Sequence, residues 1–529
     1  MSDNKKPRST HWADITADKI IRERGAKEHF TCASGITPSG TVHIGNFREI
    51  ISVELVVRAL REKGEKVRFI YSWDDYDVFR KVPKNMPQQE LLETYLRKPI
   101  VVVPDVLGDQ ESYAAANEKD LEKLLPIVGV DPEYIYQAKR YRNSEYAEGI
   151  KTALIHKDDI RRQLDESRTT PLAAAWMPVS VFCTACDRDT TTVTGWDGDY
   201  GVSYSCECGH EETVDLRTTH AVKLPWRIDW PMRWKQEDVD FEPAGKDHHS
   251  EGGSFDTARK TSKEVYNHEP PVTFQYDFIR VKGRGGKISS SSGEVISLTD
   301  VLEIYQPEIV RYLFAGTRPN AEFAISFDLD VLKIYEDYDK CERTFFNKPE
   351  TEKALKKWEK QARIYELSQV GAVPETMPYQ IQIRHLCNLL QNYSGDIDGV
   401  VEYLGDVKPE QEGRLRQRAL CAWNWIKDFA PEDFKFALRS EADGKVELDD
   451  KNTEAVRRLA IIVKEDMESM DEKEFGTKVY DMMKELELES AEFFIAVYQV
   501  LVSKEKGPRL ISFLYTIGKD KVLSLLNLY

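Results

Sequence analysis

Apolar residues near the start of the chain follow two kinds of pattern. Phe30–Ala33 and Val67–Trp73 are short apolar runs with β-branched or aromatic residues, which is typical of buried strands. Between them, apolar residues recur along Phe47–Leu60 at the spacing of a packed helix. A strand, a helix and a strand in this order predict a parallel βαβ unit within a doubly wound α/β sheet. A shorter helix over Ala13–Arg24 is expected to pack on the same domain.

The pattern changes further along the chain. From about Val78 to Leu216 the alternation is lost and prolines interrupt the sequence, so we expect a large insertion into the sheet. Helices are predicted within it at Tyr113–Leu125 and Ser144–Leu164, and another strand follows at Val272–Tyr276. Beyond Leu298 the chain is predicted to be helical throughout, forming an all-helical C-terminal domain. Amphipathic spacing recurs there in Val331–Phe345, Ile381–Leu390, Arg414–Ile426, Ala455–Met467 and Phe493–Val502.

A turn joins the first strand to the first long helix. Regular structure is broken there at Gly35, Pro38 and Gly40. The start of a helix carries unpaired N–H groups and a partial positive charge, which attract phosphate groups. His43 and Asn46 stand at this start and offer donors, while Gly45 lets a flat ring approach the backbone. The stretch predicts a phosphate cradle, and an ordinary strand–turn–helix corner is the alternative.

Acidic residues follow the second strand, in the run Trp73-Asp-Asp-Tyr-Asp77. Ligands of parallel sheets bind at the carboxyl ends of strands, so Asp74, Asp75 and Asp77 are expected to face the same crevice as His43. Carboxylates at that place suit a metal ion or a cationic group of a substrate. A solvated acidic loop is the alternative.

Four cysteines within the insertion have the spacing of a zinc ribbon. Cys183 and Cys186 form the first pair, and Cys206 and Cys208 form the second after a stretch rich in Thr, Val and Tyr. Two such pairs predict one tetrahedral thiolate site with a structural role, because four thiolates leave no open position on the metal. Since the second pair is closer than usual, His210 is an alternative ligand.

Two further stretches carry candidate ligand contacts. Trp226–Trp234 holds three tryptophans, which suit either stacking on a cation or an aromatic core under a loop. In Gly245-Lys-Asp-His248, a glycine turn is followed by an aspartate that suits sugar hydroxyls and a histidine that suits a base or phosphate. A polar surface turn is the alternative for the second stretch.

A cationic loop follows the strand at Val272–Tyr276. Residues 280–287 hold four cations and no acid, and Lys287 is followed by Ile-Ser-Ser-Ser-Ser. A loop rich in Gly, Ser and cations suits a triphosphate and its leaving pyrophosphate. A flexible linker would account for the glycines and serines but not for the cations.

Composition narrows the protein class. A chain of 529 residues is too long for one core, and 41% hydrophobic with 31% charged residues describes a soluble globular protein. No apolar run approaches 18 residues and no apolar segment follows the N-terminus, so we expect no membrane span and a cytoplasmic protein with reduced cysteines. The net charge of −17 argues against a non-specific nucleic-acid coat but leaves room for a local basic surface.

Taken together, these motifs resemble those of one enzyme family. The run Pro38-x₄-His43-Ile-Gly-Asn46 and the run Lys287-Ile-Ser-Ser-Ser291 resemble the two signatures of class I aminoacyl-tRNA synthetases. With the acidic run, the Gly245–His248 stretch and the cysteine ribbon, residues 28–529 resemble the class I lysyl-tRNA synthetases of the archaeal type.

The resemblance implies a domain order. Residues 1–98 and 217–297 would form the two halves of a Rossmann catalytic domain, split by a connective insertion at 99–216 that carries the zinc ribbon. A stem-contact region at 298–350 and a helical anticodon-binding domain at 351–529 would follow.

It also implies roles for individual residues. ATP would be contacted by Pro38, Gly40, His43, Gly45, Asn46, Gly245, Asp247, His248 and Lys287. The catalytic set would be His43, Asn46, Lys287 and Ser289. The amino acid would be contacted by Gly35, Thr37, Asp74, Asp75, Trp226 and His248. The second signature usually has another lysine where this chain has Ser290, so Lys282 or Arg284 is expected to assist Lys287.

The activity implied is ATP-dependent attachment of L-lysine to tRNA(Lys) through a lysyl-adenylate. Mg²⁺ on the phosphates and a structural Zn²⁺ are the expected metals, and a monomer with no membrane partner is the expected state. Three alternatives stay open: a sister synthetase for glutamate or arginine, a nucleotidyltransferase that shares the histidine turn, and a non-catalytic zinc-ribbon RNA-binding protein.

Overall fold

The computed structural model describes residues 10–84, 86–282, 295–405 and 407–529. The strands are β1 (Phe30–Ile36), β2 (Val67–Trp73), β3 (Glu133–Tyr136), β4 (Ser180–Val181), β5 (Thr191–Trp196), β6 (Gly201–Cys206), β7 (Glu211–Asp215), β8 (Val222–Lys223), β9 (Val239–Phe241), β10 (Ala244–Gly245), β11 (Gln275–Tyr276), β12 (Ile279–Lys282) and β13 (Phe323–Ser326).

The helices are α1 (Trp12–Arg24), α2 (Ile44–Glu62), α3 (Gln89–Glu93), α4 (Tyr113–Leu124), α5 (Gln137–Arg142), α6 (Ala147–Ile155), α7 (Lys157–Asp165), α8 (Trp226–Glu237), α9 (Ser254–Glu264), α10 (Leu298–Ile304), α11 (Pro307–Gly316), α12 (Asp330–Phe346), α13 (Glu352–Ser368), α14 (Ile383–Asn392), α15 (Ile397–Leu404), α16 (Pro409–Asp428), α17 (Asp450–Asp466), α18 (Glu472–Glu485), α19 (Ser490–Val502), α20 (Leu510–Ile517) and α21 (Lys519–Leu526). Short 3₁₀ turns lie at Ile100–Val102, Pro126–Val128 and Glu441–Asp443.

A parallel sheet in the order β3-β2-β1-β9 organises the first part of the chain. β1 pairs with β2 in parallel from Phe30 opposite Val67 to Ile36 opposite Trp73, which confirms the predicted βαβ unit. On the other side β1 pairs with β9, and β10 continues beside β11 in parallel. Along the chain, β2 and β3 are added on one side of β1, and β9 is then added on its other side. Such a reversal opens a ligand crevice at the carboxyl ends of the two strands.

The long helix α2 is buried over most of its surface, because apolar residues occupy almost every position from Ile50 to Leu60. It begins directly after the turn that follows β1, so its N-terminus faces the crevice. The predicted helix over Phe47–Leu60 is thereby confirmed and extended by about one turn at its start.

The predicted insertion into the sheet is interrupted by β3, which pairs with β2 in the parallel sheet. After β3 come the antiparallel sheet β5-β6-β7 and β4, which pairs with β8. The single helix predicted over Ser144–Leu164 is wrong, because His156 separates α6 from α7. Asp158 and Asp159 occupy the first turn of α7, where negative charge favours a new helix start.

The chain divides into two compact units. The first contains the described residues of Met1–Leu302, Pro307–Ile325 and Cys341–Val373, and the second those of Glu303–Gln306, Ser326–Lys340 and Pro374–Tyr529. The second unit has a helical core in which Trp425 is almost fully buried and Arg418 makes a two-pronged ion pair with Asp339, at 3.0 and 2.6 Å.

The prediction of helix throughout beyond Leu298 is wrong at β13. Phe323–Ser326 forms an extended strand because its backbone pairs with β12, a partner that periodicity within the segment does not reveal. From residue 351 onward, the regular elements of the described residues are helices, as predicted. Among the helices that the structure describes, none has the length and apolar content that crossing a bilayer requires.

Candidate active site

The start of α2 is closed by a reciprocal cap between two predicted site residues. The backbone N–H of Asn46 donates to Nδ1 of His43 at 3.2 Å, and the backbone N–H of His43 donates to Oδ1 of Asn46 at 3.4 Å. Burial lowers the pKa of His43, so the neutral ring prevails and carries its proton on Nε2. His43 therefore offers one ring donor, at Nε2, beside the partial positive charge of the helix start.

Gly45 allows this cap to form. A Cβ at residue 45 would lie 2.8 Å from both Cε1 and Nδ1 of His43, which is far inside normal contact distance. The flat ring predicted to approach the backbone at Gly45 is therefore the imidazole of His43.

The turn before His43 is held by α4, which lies between β2 and β3 of the parallel sheet. The hydroxyl of Tyr113 on α4 donates to the carbonyl of Ser39 at 2.9 Å, and Asn117 one turn later donates to the carbonyl of Pro38 at 3.3 Å. Gly40 packs beside the same hydroxyl, so a Cβ there would lie 3.6 Å from it. The connection from β2 to β3 therefore shapes the predicted phosphate cradle.

An inner cavity of about 90 Å³ lies at the carboxyl ends of β1, β2 and β10. The lining of this inner cavity includes Gly35, Glu49, Asp74, Trp226, Trp230, Trp234, Arg233, Glu237, Glu242 and His248. Gly35 lies so close to β2 that a Cβ would meet the carbonyl oxygen of Ser72 at 2.6 Å. Trp226 stacks on Trp230 with ring centres 4.7 Å apart. The cavity combines aromatic walls with acidic groups.

Two of the acidic groups in the inner cavity are already paired with arginines. Asp74 forms an ion pair with Arg233, whose guanidinium also lies 5.2 Å from the ring centre of Trp226. Glu237 lies 2.7 Å from a guanidinium nitrogen of Arg68.

The other two acidic groups have neutral partners. Glu242 accepts the indole N–H groups of Trp230 and Trp234, at 3.0 and 2.6 Å. Glu49 accepts from the hydroxyl of Ser34 at 2.9 Å and from the hydroxyl of Tyr276. Among the described residues, no Lys, Arg or His nitrogen lies within 4 Å of either carboxylate.

Burial explains the proton affinities of these two carboxyl groups. It raises the pKa of Glu242 to about 7, with a further contribution from the charge of Glu49. Burial likewise raises the pKa of Glu49, and the hydrogen bond from Tyr276 lowers it in part. A cation bound between the two carboxylates would offset the free-energy cost of burying their negative charges.

The acidic run after β2 is divided between three environments. Asp74 lines the inner cavity, whereas Asp75 turns away and accepts the backbone N–H of Ala138 at 2.7 Å. Asp77 pairs with Lys223 at 3.6 Å and lines a different space. The expectation that all three face one crevice is wrong, because Asp75 is taken by the start of α5.

The Gly245–His248 stretch lies at the end of β10, beside the inner cavity. Nδ1 of His248 is 2.5 Å from Oγ of Ser254, and its ring packs 5.9 Å from that of Trp230. Gly245 is buried in the strand end, while Asp247 is exposed to solvent. The stretch is thus placed where a bound nucleotide would meet it at the sheet edge.

A wider outer groove of about 920 Å³ adjoins the turn. Thr37, Gly40, Asp77 and Tyr113 line it, together with the basic residues Arg80, Lys81, Lys84, Lys119 and Lys123. No local sequence pattern marks these cations, because they are spread over two segments that only the fold brings together.

Lys287, Ser289, Ser290 and Arg284 lie outside the described residues. The described chain resumes at Val295, and the backbone N–H of Ile44 in α2 donates to the carbonyl of Ile296 at 2.8 Å. The residues that follow the second signature are therefore adjacent to His43.

The four predicted cysteine ligands converge in the insertion. Their sulfur atoms all lie within 4.8 Å of one another, and the Cys183–Cys208 and Cys186–Cys206 sulfur distances are both 3.7 Å. Tetrahedral Zn–S bonds of about 2.3 Å require sulfur atoms about 3.8 Å apart, so the donor set fits zinc. His210 is engaged with Thr184 and Glu212, each at 3.2 Å, instead of the sulfur cluster.

Sequence reasoning missed Glu49, Glu242 and Tyr276. A signal for Glu49 is present, since it is a charged residue within a helix that is otherwise largely apolar. Glu242 and Tyr276 carry no comparable local signal. Glu242 reaches the cavity because it directly follows β9, and Tyr276 reaches Glu49 because β11 pairs with β10.

The doubly wound sheet, the capped helix start and the polar crevice define an α/β protein with a ligand crevice at the carboxyl ends of its parallel strands. Comparison with known proteins specifies the family. The family model described as tRNA synthetases class I (K) matches residues 10–371. The chain belongs to this family.

Full-length relatives agree. A lysine–tRNA ligase of Borreliella burgdorferi is 55% identical over 522 residues, covering 99% of this chain and 100% of that protein. The lysine–tRNA ligase of Treponema pallidum is 52% identical over 525 residues, covering 99% of each chain. The lysine–tRNA ligase of Pyrococcus horikoshii is 41% identical over 529 residues, covering 98% of this chain and 99% of that protein.

The cap at His43 can be tested through Gly45. We expect Gly45→Ala to lower the free energy of unfolding by about 1 kcal/mol, because the added Cβ displaces the His43 ring from its capping position. Gly316→Ala is the matched control, since this helical glycine lies in the same unit and its Cβ would meet nothing closer than 3.8 Å. Denaturant unfolding measures both, and equal stability of the two variants would contradict the prediction.

Proposed function

We propose that this protein is a lysine–tRNA ligase, which uses ATP to attach L-lysine to tRNA. The observation that carries the proposal is similarity along the whole chain to lysine–tRNA ligases at 55% identity. The inner cavity adds chemical support, because it combines uncompensated carboxylates with aromatic walls. These features suit an ammonium group on an aliphatic chain.

The reaction requires that the reacting groups of the substrates are aligned, and it requires no protein nucleophile. In the first step the lysine carboxylate attacks the α-phosphorus of ATP, and the bond to the β-phosphate oxygen breaks as pyrophosphate leaves with its electron pair. In the second step the 2′-hydroxyl of the terminal tRNA adenosine attacks the carbonyl carbon, and AMP leaves. Preorganised donors near the phosphates stabilise the charge that develops in both steps.

We assign ATP binding to the turn and to the sheet edge. The Nε2–H donor of His43 and the partial positive charge at the start of α2 face the phosphates, while Gly245, Asp247 and His248 hold the nucleoside. Lys287 and Ser289 of the second signature belong to the same site, since the residues that follow them contact α2. Mg²⁺ bound to ATP would supply further charge neutralisation at the phosphates.

We assign the lysine ammonium to Glu49. Asp74 and Glu237 are already neutralised by arginines, whereas Glu49 and Glu242 are held by neutral donors. Glu49 accepts two hydroxyl groups and the backbone N–H of Gly35, and it retains a lone pair for a cation. We favour it over Glu242 because it lies beside Gly35 at the end of β1, next to the turn that we assign to ATP. Glu242 then orients the tryptophans that contact the aliphatic chain.

We assign the 3′ end of tRNA to the outer groove. Its five basic side chains face four aspartates, Asp77, Asp105, Asp120 and Asp300, so the groove has a formal charge of about +1 on a protein whose net charge is −17. The groove borders Thr37 and Gly40 of the turn, so a strand bound there reaches the adenylate site. Anticodon binding is assigned to the helices of residues 351–529.

We assign a structural zinc ion to the four cysteines. Four thiolates close the coordination shell, so the ion contributes to the folding of the β5-β6-β7 ribbon and not to the chemistry.

The activity is tested by ATP–pyrophosphate exchange with each amino acid in turn, in the presence of total tRNA. We expect exchange with lysine and a loss of at least about 100-fold in His43→Ala, because the turn loses its ring donor at the phosphates. Exchange with glutamate or arginine in place of lysine would retain the family and reject the proposed substrate. A folded, zinc-loaded protein without exchange would reject the enzyme assignment.

The ammonium partner is tested by Glu49→Gln, which keeps the side-chain shape and removes its charge. We expect the KM for lysine to rise by about 100-fold or more, because a buried ammonium loses its counter-charge, while the KM for ATP changes little. Asp77→Asn is the control, since it neutralises a carboxylate of the outer groove that already pairs with Lys223. If Asp77→Asn weakens lysine binding and Glu49→Gln does not, the assignment is wrong.

The zinc site is tested by elemental analysis of the purified protein. We expect one zinc ion per chain, and we expect Cys186→Ser to lose it together with thermal stability of the insertion. Cys341→Ser is the control, because Cys341 is a buried thiol that lies outside the cluster. Retention of the full zinc content in Cys186→Ser would show that the cluster is not the metal site.

A further inference from the structure

Arg48 is a buried cation on α2, about one turn beyond His43. Only 2% of the residue is exposed, so its guanidinium has exchanged water for protein partners. Burying a charge is costly unless its hydrogen-bonding groups are satisfied, and guanidinium offers five donors in a fixed plane. Burial lowers the pKa of Arg48 to about 10, which leaves the group charged at neutral pH.

The acceptors of Arg48 are main-chain carbonyls from two distant segments. One terminal nitrogen donates to the carbonyls of Asp277 and Phe278, at 2.6 and 3.1 Å. The other donates to the carbonyls of residues 318, 319 and 321, at 3.2, 2.7 and 2.7 Å. The guanidinium also lies 5.2 Å from the ring centre of Phe323. One side chain thus fixes the backbone of both segments.

These two segments lead directly into the strand pair β12-β13. Asp277 and Phe278 precede β12, and residues 318–321 precede β13. β12 ends at Lys282, immediately before the residues that contain Lys287. Arg48 therefore determines where the base of this strand pair lies relative to α2.

The same helix contacts the chain on the far side of the second signature. The N–H of Ile44 donates to the carbonyl of Ile296, and His43 pairs with Ser297 as an isolated β-bridge. The first turns of α2 thus hold the chain before residue 283 through Arg48 and after residue 294 through its own backbone.

We propose that Arg48 is a positioning residue for the chemical step: through its five carbonyl contacts it holds the base of the β12-β13 pair, from which the chain continues towards Lys287, against the phosphate-binding start of α2. The inference rests on the proposed function and deepens it. An arginine is suited to this task, because its rigid fork holds several acceptors at once, whereas lysine offers a single point charge. A displacement of about 1 Å in such an alignment can cost about 100-fold in rate.

The test compares Arg48→Lys with Arg311→Lys in lysine-dependent pyrophosphate exchange. Arg311 is the matched control, because it is fully buried in the same unit and also donates to carbonyls, those of Val128 and Leu367. We expect Arg48→Lys to lower kcat by about 10- to 100-fold with the KM for lysine within about threefold of the wild type. Arg311→Lys is expected to lose comparable thermal stability while its folded fraction retains the wild-type kcat.

A double-mutant cycle with Lys287→Ala separates positioning from general damage. If Arg48 acts through the second signature, Arg48→Lys will cost much less in the Lys287→Ala background than in the wild type. Additive losses, or equal kcat losses in Arg48→Lys and Arg311→Lys, would overturn the positioning role while leaving the proposed function intact. A wild-type protein without lysine-dependent exchange would contradict the proposed function and the role of Arg48 together.

Discussion

The burial of charged side chains on α2 is the constraint on which the site depends. A helix that is covered on most of its surface cannot leave a charge unsatisfied, and α2 satisfies three of them in different ways. Arg48 is surrounded by main-chain carbonyls, and Glu54 pairs with Arg311 and Arg58, at 2.6 and 3.1 Å. Glu49 is held only by neutral donors, so it is the charge on this helix that a ligand can complete.

As the proposed lysine site, the inner cavity would meet two requirements of a cationic amino acid. The ammonium group needs a counter-charge, while the aliphatic chain needs apolar walls that exclude water. Glu242 serves the second requirement by accepting the indole N–H groups of Trp230 and Trp234, which fixes the aromatic wall. A site built in this way leaves a buried carboxylate unpaired when an uncharged analogue binds, so it discriminates by the cost of that charge.

The connection from β2 to β3 is part of the site as well as of the sheet. Tyr113 and Asn117 on α4 hold the carbonyls of the turn that precedes His43, and several cations of the outer groove lie on the same segment. The cysteine cluster lies further along the insertion, where sulfur spacing matches a tetrahedral ion. Val202, Tyr204 and Val214 of the antiparallel sheet also belong to an apolar core that includes Ile150 and Leu154 of α6.

The sequence by itself determined the features that depend on neighbouring residues. Apolar spacing located β1, α2 and β2, and cysteine spacing located the thiolate cluster, because strand period, helix period and short knuckles are local properties. Only the tertiary structure decided which side chains meet. His43 and Asn46 cap each other, Asp75 turns to α5, and Glu49 meets Tyr276 from more than two hundred positions away. Side-chain partners of this kind follow from strand order and burial, which no local pattern encodes.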